Sequence, residues 1–226
     1  MTTRAVLFGA IGTIAETSEI QRQAFNAAFA EAGLDWTWER DAYRDMLESP
    51  GGERRIEAYN RARGARIDAS AIHGRKTVLF QEAIERGIEA RPGVVETIHA
   101  LREAGIKVAF CTTTDEANVA AILRAVDGLE REHFDFIGHR AMVSKNKPDP
   151  EIYLLALERL GVQAPEAVAI EDSPEGADAA AGAGLRTVAF PGMMHVHRSF
   201  DSAELAVDTM TPQALGLRAE GRTAHA

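Results

Sequence analysis

Two acidic residues stand side by side at Glu171-Asp172, directly after the apolar run Ala167-Val168-Ala169-Ile170. Adjacent carboxylates at the end of a strand suit Mg²⁺, which prefers carboxylate oxygens and water. A hydroxyl at Thr112, first of the run Thr112-Thr113-Thr114, and the ammonium of Lys147 could hold a phosphate nearby. Each feature also has a plainer reading. Glu171-Asp172 could cap the helix that Ser173-Pro174 begins. The threonines could simply end a strand, and Lys147 could lie on the surface. His195 and His197, two apart after Pro191-Gly192, would share one face of a strand and could bind a metal. No third ligand accompanies them, so a solvated loop is the expectation. His73, His99, His133 and His139 are scattered and take no role. Cys111 is the single cysteine, which excludes a disulfide within the chain and a Cys-rich zinc site. At the end of an apolar run it reads as packing.

The elements that must position these groups follow from periodicity. Ala5-Val6-Leu7-Phe8 is a short apolar run closed by Gly9 and Gly12, a buried strand feeding a loop. From Thr17 to about Gly87 the pattern is helical throughout. Its expected helices are a first one stopped by Gly33, then Asp41–Leu47, Arg54–Arg63 and Ser70–Gly87. After Arg91-Pro92-Gly93 the rhythm becomes strand–helix alternation. Strands are expected at Ile106–Cys111, Phe134–Ile137, Ala167–Ile170 and Thr187–Phe190. Helices are expected at Val94–Ala104, Ala117–Val126, Pro150–Leu160 and Pro174–Ala183, with Asp149 capping the third. Such alternation means an α/β fold, a parallel sheet with helices on both faces. Residues 1–15 and 91–226 would form that domain, and residues 16–90 an all-helical insert hinged near Ala15–Glu16 and Glu89–Pro92. Ligands of open α/β sheets bind at the carboxyl ends of the strands, where Gly9, Thr112 and Glu171 fall. The tail from about Thr211, small and polar, is expected to fray.

Composition narrows the partners. The 34 acidic residues outweigh 25 Lys plus Arg, for a net charge of −9, which argues against nucleic acid. A small phosphorylated ligand needs only local positive charge. Aromatics make up 6% of the 226 residues, so the core should rest on aliphatics and alanines. No apolar stretch approaches the roughly 18 residues of a membrane span, and the run ending at Gly9 is too short for a signal-peptide core. The expectation is a soluble, cytoplasmic protein.

Several stretches together resemble the haloacid dehalogenase (HAD) superfamily, in its helical-cap subgroup, and within that the CbbY-type phosphatases of sugar bisphosphates such as xylulose 1,5-bisphosphate. They are Ala15-Glu16-Thr17, Ala24-Phe25-Asn26, Asp35-Trp36-Thr37-Trp38, Gly51-Gly52, Arg91-Pro92-Gly93, Thr112-Thr113-Thr114, Lys147-Pro148-Asp149-Pro150-Glu151-Ile152-Tyr153 and Glu171-Asp172-Ser173-Pro174. The resemblance implies a Rossmann-like core with an inserted helical cap that closes over the site. By the same resemblance Thr112 binds the transferred phosphoryl group, Lys147 neutralises its charge, and Glu171 and Asp172 hold Mg²⁺.

The first motif departs from the family. It should read Asp-x-Asp-Gly-Thr and here reads Gly9-Ala10-Ile11-Gly12-Thr13. The nucleophile position is Gly9 and the general acid/base position is Ile11. The first aspartate attacks phosphorus and also ligates Mg²⁺; the second moves the proton. Losing members of such a unit costs on the order of 10⁴–10⁶ in turnover. The expectation is therefore a catalytically impaired homologue that retains sugar-phosphate binding. Mg²⁺ is weak or absent, and Lys147 pairs with the remaining acids. An active Mg-dependent phosphomonoester hydrolase using other residues, and a scaffold or interaction protein, stand as alternatives. Glu16 lies beyond the motif, near the hinge, and is a poor replacement nucleophile. In the insert a family histidine falls on Gln21 and a family lysine on Glu53, while Arg55 and Lys76 remain to meet a second phosphate.

Overall fold

The computed structural model describes residues 2–48 and 51–217. Six strands form one sheet: β1 (Ala5–Phe8), β2 (Lys107–Cys111), β3 (Phe136–Gly138), β4 (Ala167–Glu171), β5 (Arg186–Ala189) and β6 (Leu205–Ala206). Their order is β3-β2-β1-β4-β5-β6, and every neighbouring pair is parallel. The chain leaves β1 to one side for β2 and to the other for β4, so the sheet's switch point lies at the end of β1. Phe8 is in register with both Phe110 and Ile170, so the three central strands end level.

Alternation along each strand divides the core between the two faces of the sheet. Val6, Phe8, Val108, Phe110, Val168 and Ile170 face one way, towards α6 (Val94–Glu103) and α7 (Glu116–Ala125). Ala5, Leu7, Ala109 and Ala169 face the other, against α8 (Glu151–Leu160) and α9 (Pro174–Gly182). The second face is rich in alanine, which lets those two helices lie close to the sheet. Ser173 caps α9 by accepting from the Gly176 N–H at 3.3 Å.

Between β1 and β2 the described residues hold no strand. A single helical turn, α1 (Ile11–Ile14), precedes α2 (Ser18–Glu31), α3 (Arg40–Met46), α4 (Gly52–Ala62) and α5 (Ala69–Ile84). This block has its own core of Phe25, Phe29, Trp36, Trp38, Tyr43 and Ile56. Phe25 and Phe29 lie 4.7 and 4.9 Å from the Trp38 ring, centroid to centroid. Asn26 holds the Trp38 backbone, accepting from its N–H at 2.8 Å and donating to its carbonyl at 3.1 Å. The expectation of an aliphatic and alanine core thus holds for the sheet and fails here, where the aromatics are concentrated.

Three further expectations are corrected, and one strand is new. The loop after β1 contains the turn α1, in which the Thr13 hydroxyl donates to the Ala10 carbonyl at 2.7 Å. β3 begins two residues late, because the Asp135 carboxylate accepts the Val108 N–H at 2.8 Å and ends the preceding loop. β6 has only two residues, too few to show a period. The tail is anchored as far as it is described: Leu215 is fully buried and its carbonyl accepts from Arg186. Residues 218–226 lie outside the described part.

Candidate active site

Level strand ends bring four chain segments together. Gly9 follows β1, with its N–H bonded to the Ile170 carbonyl at 2.8 Å. Thr112 follows β2 and is nearly buried; its Oγ1 accepts the Thr114 N–H at 3.1 Å. Glu171 ends β4 and Asp172 follows it. Lys147 reaches in from the loop before α8.

The Lys147 ammonium is buried and surrounded by acceptors. It donates to Glu171 Oε1 at 2.5 Å, to the Cys111 carbonyl at 2.9 Å and to the Gly9 carbonyl. The Tyr153 hydroxyl lies 3.2 Å away and donates to the same Glu171 oxygen at 2.5 Å. Three ammonium protons are thus satisfied inside the protein, as a buried charge requires. Glu171 is 0% exposed. Burial, then the Glu171 charge, hold the Tyr153 phenol well above its usual range. Burial pushes the Cys111 thiol up to about 12, so it stays a neutral packing group. The Asp172 carboxyl is pushed up to about 7, first by burial and then by Glu171.

The first-motif positions carry no chemistry. Gly9 has no side chain, and a Cβ built there would lie 2.2 Å from both Glu171 Oε1 and the Tyr153 hydroxyl oxygen. Ile11 is 6% exposed and packs into the core cluster of Val6 and Phe8. A Cβ at Gly12 would stand 1.8 Å from Asp172 Oδ2, so the Asp172 carboxylate would have to shift to admit one.

Opposite the strand ends, the helical block lines the other wall of a cleft of about 610 Å³. Arg55, Lys76, Gln21 and Glu53 all face it. Lys76 lies under the aromatic core, 4.8 Å from the Phe25 ring centroid, and donates to Gln21 Oε1. Burial, then Arg55, lower its ammonium to about 7. The cleft therefore has Thr112, Lys147 and Asp172 on one side and Arg55 and Lys76 on the other.

His195 corrects the sequence reading. It is buried at 7% exposure and lines the cleft rather than a solvated loop. His197 is exposed, and both lie in a turn rather than on one face of a strand. Burial, then Arg198, lower His195 to about 4, so it is neutral near pH 7. Among the described residues no three His, Cys, Asp or Glu side chains gather as a metal cluster. Glu16 lines a separate groove, where its Oε1 accepts the Met193 N–H at 2.9 Å.

Two residues carry more structure than their spacing announced. Tyr153 sits in the stretch after Lys147, and its hydroxyl turns inward onto Glu171, which its place among the apolar residues of α8 does not reveal. Arg91 is 8% exposed and fastens both connections of the helical block. Its guanidinium donates to the carbonyls of Gly12 (2.9 Å), Phe190 (2.7 Å) and Pro191 (2.8 Å).

A parallel sheet with this order, and this set of groups at its central strand ends, define the class. Residues 3–184 match the haloacid dehalogenase-like hydrolase family, and the chain belongs to it. Within that family the chain is 43% identical over 210 residues to protein CbbY of Cereibacter sphaeroides, covering 91% of each. It is 31% identical over 187 residues to a phosphorylated carbohydrates phosphatase of Thermotoga maritima, covering 81% of this chain and 83% of that one. The crystal structure of an Asp-to-Asn variant of CbbY from Rhodobacter sphaeroides, in complex with xylulose-(1,5)bisphosphate, superposes with a TM-score of 0.85. That comparison has 41% identity and covers 92% of this chain and 95% of the other.

Proposed function

We propose that this chain is a catalytically silent relative of the CbbY-type sugar-phosphate phosphatases that binds a phosphorylated sugar without hydrolysing it. One observation carries the reading: the end of β1 offers no carboxylate to the cleft. Phosphoryl transfer in the family needs an oxygen nucleophile on phosphorus and a second group to protonate the leaving oxygen. Gly9 supplies neither, and Ile11 is committed to the core. Uncatalysed phosphomonoester hydrolysis is among the slowest reactions known, so positioning alone gives no useful rate.

Binding asks less. Arg55 and Lys76 face Thr112 across the cleft, and charge-assisted contacts to phosphate are strong. Lys147 directs its protons to Gly9, Cys111 and Glu171, so the positive charge met by a ligand comes chiefly from the helical block. That block, residues 16–90, acts as a cap whose closure on ligand is a conformational signal rather than a catalytic step. Glu53, on the same wall, weakens the field relative to the lysine expected there.

A thermal-shift series of sugar mono- and bisphosphates tests binding, because a ligand that binds only the folded state raises Tm with concentration. A stabilising sugar phosphate whose effect is lost in Arg55→Ala and Lys76→Met supports the reading. A flat series across triose to hexose phosphates contradicts it.

A further inference from the structure

The loop between β5 and β6 sends the His195 side chain into the cleft, where it is 7% exposed. Its Nδ1 is buried with no hydrogen-bond partner among the described residues. Buried polar atoms are nearly always paired, and leaving one unpaired is costly. The ring is nevertheless held firmly in place. Met194, directly before it, is 2% exposed and belongs to the aromatic cluster of Phe25, Trp38 and Tyr43 in the helical block. On the core side the Gly192 N–H donates to the Asp172 carbonyl at 2.9 Å. Arg198 forks the Glu175 carboxylate of α9 at 2.6 and 3.0 Å. The loop is thus pinned to both walls of the cleft with His195 between the pins. Such rigid placement is what a recognition group needs.

We propose that His195 reads a hydroxyl on the carbon chain of the bound sugar, and so selects polyhydroxylated phosphate esters over bare phosphate and alkyl phosphates. Local charge favours a hydroxyl over a phosphate. The cation facing the ring, Arg198, is committed to Glu175, and Asp172 on the same wall is acidic. A phosphate gains little there and is met instead by Arg55 and Lys76 on the helical block. Burial keeps the imidazole neutral near pH 7, with one donor and one acceptor. A hydroxyl, which both donates and accepts, matches that pair. His195 also lies outside the stretches that carry the family resemblance, so it can set a preference of this chain's own. The proposal rests on the sugar-phosphate reading above and deepens it.

The test pairs each sugar phosphate with an analogue of the same length that lacks the hydroxyls. Ribulose 1,5-bisphosphate is set against pentane-1,5-diol bisphosphate, and glucose 6-phosphate against hexyl phosphate, by calorimetry on the full chain. In at least one pair the natural chain binds the sugar at least about tenfold more tightly than its analogue, the worth of one or two hydrogen bonds. His195→Phe removes most of that gap and leaves the affinity for the analogue unchanged. His195→Gln, which keeps a donor and an acceptor, retains part of it. A gap that survives in folded His195→Phe overturns the proposal. So does binding of sugar and analogue with equal affinity by the natural chain, which leaves phosphate binding itself standing. If none of the four compounds binds, the sugar-phosphate reading has failed and the proposal falls with it. Should His195→Phe not fold, the natural chain with ¹⁵N-labelled histidine carries the test. The ring that titrates near pH 4 shifts its nitrogen resonances with the sugar and not with the analogue. A ring unmoved by a sugar phosphate that calorimetry shows to bind overturns the proposal.

Discussion

The hydroxyl of Tyr153 donates to Glu171 Oε1 at 2.5 Å, across 18 positions of sequence. Lys147 binds the same oxygen, so three side chains and two main-chain carbonyls form one buried polar unit. Apart from the Asp172 N–H, which Glu171 Oε2 accepts at 3.2 Å, its members are satisfied by each other. Buried networks of this kind tolerate joint replacement better than the loss of one partner.

Lys147→Met should therefore destabilise the chain by about 3–5 kcal/mol, because it leaves Glu171 buried without its counter-ion. Lys147→Met/Glu171→Gln should recover part of that loss. Urea unfolding of both variants and of Glu171→Gln gives the coupling. Additive losses would mean that the pair does not act as a unit.

Lys76 should make stability depend on pH in a defined window. Its ammonium falls from 10.5 to about 7 in the folded chain. Between those values the unfolded chain holds a proton that the folded chain has released, so stability rises with pH. Below about pH 7 both states are protonated and the full cost of burying the charge is present. Lys76→Met should flatten the rise from pH 7 to 10 in a thermal-melt series. A phosphate ester beside Lys76 should also draw a proton on binding near pH 8. Calorimetry in buffers of different ionisation enthalpy reads that uptake, and Lys76→Met should abolish it.

Arg91 ties the two connections of the helical block to the loop after β5. Its backbone N–H also bonds to the Ile14 carbonyl at 2.8 Å, and its guanidinium stacks 3.3 Å from the Phe190 ring centroid. Arg91→Met should cost about 3 kcal/mol, since the buried Phe190 carbonyl and the partly buried carbonyls of Gly12 and Pro191 lose their donor. Arg91→Lys should recover little, because an ammonium cannot span the fork. Hydrogen exchange should quicken at residues 12–16 and 190–193 before it quickens in β1. Uniform exchange across the fold would contradict a local fastening.

Asn26→Ala should cost about 1–3 kcal/mol by stranding the N–H of Trp38, whose carbonyl keeps Arg22 as a donor at 2.6 Å. The loss should show in near-ultraviolet circular dichroism as a change in the tryptophan band. An unchanged band with an unchanged melt would mean that the aromatic core holds Trp38 without the amide.

Much of the fold was legible because its signals are local. The buried strands are short continuous apolar runs, and Gly33, Gly105 and Gly161 stop their helices with φ of 70°, 69° and 63°. β6 escaped because two exposed residues carry no period. The site was legible as a set of strand ends, since Thr112, Lys147, Glu171 and Asp172 each follow or face one. What the chain pattern could not show is how those groups satisfy one another. Lys147 meets Gly9 across 138 positions, and Tyr153 reads locally as one more apolar residue of α8. His195 follows a Pro-Gly pair that normally marks the surface, yet its loop folds back over the cleft. The aromatic core of the helical block was hidden by a low average that concealed a local concentration.

The central claim is that the natural chain does not turn over phosphate esters. The direct measurement is inorganic phosphate release by purified natural protein with Mg²⁺, over a panel of sugar mono- and bisphosphates. Gly9→Asp/Ile11→Asp runs alongside. The natural chain should release none above background, and the double variant should turn over measurably. An enzyme-like rate from the natural chain, undiminished by repurification and abolished in Thr112→Val, would contradict it.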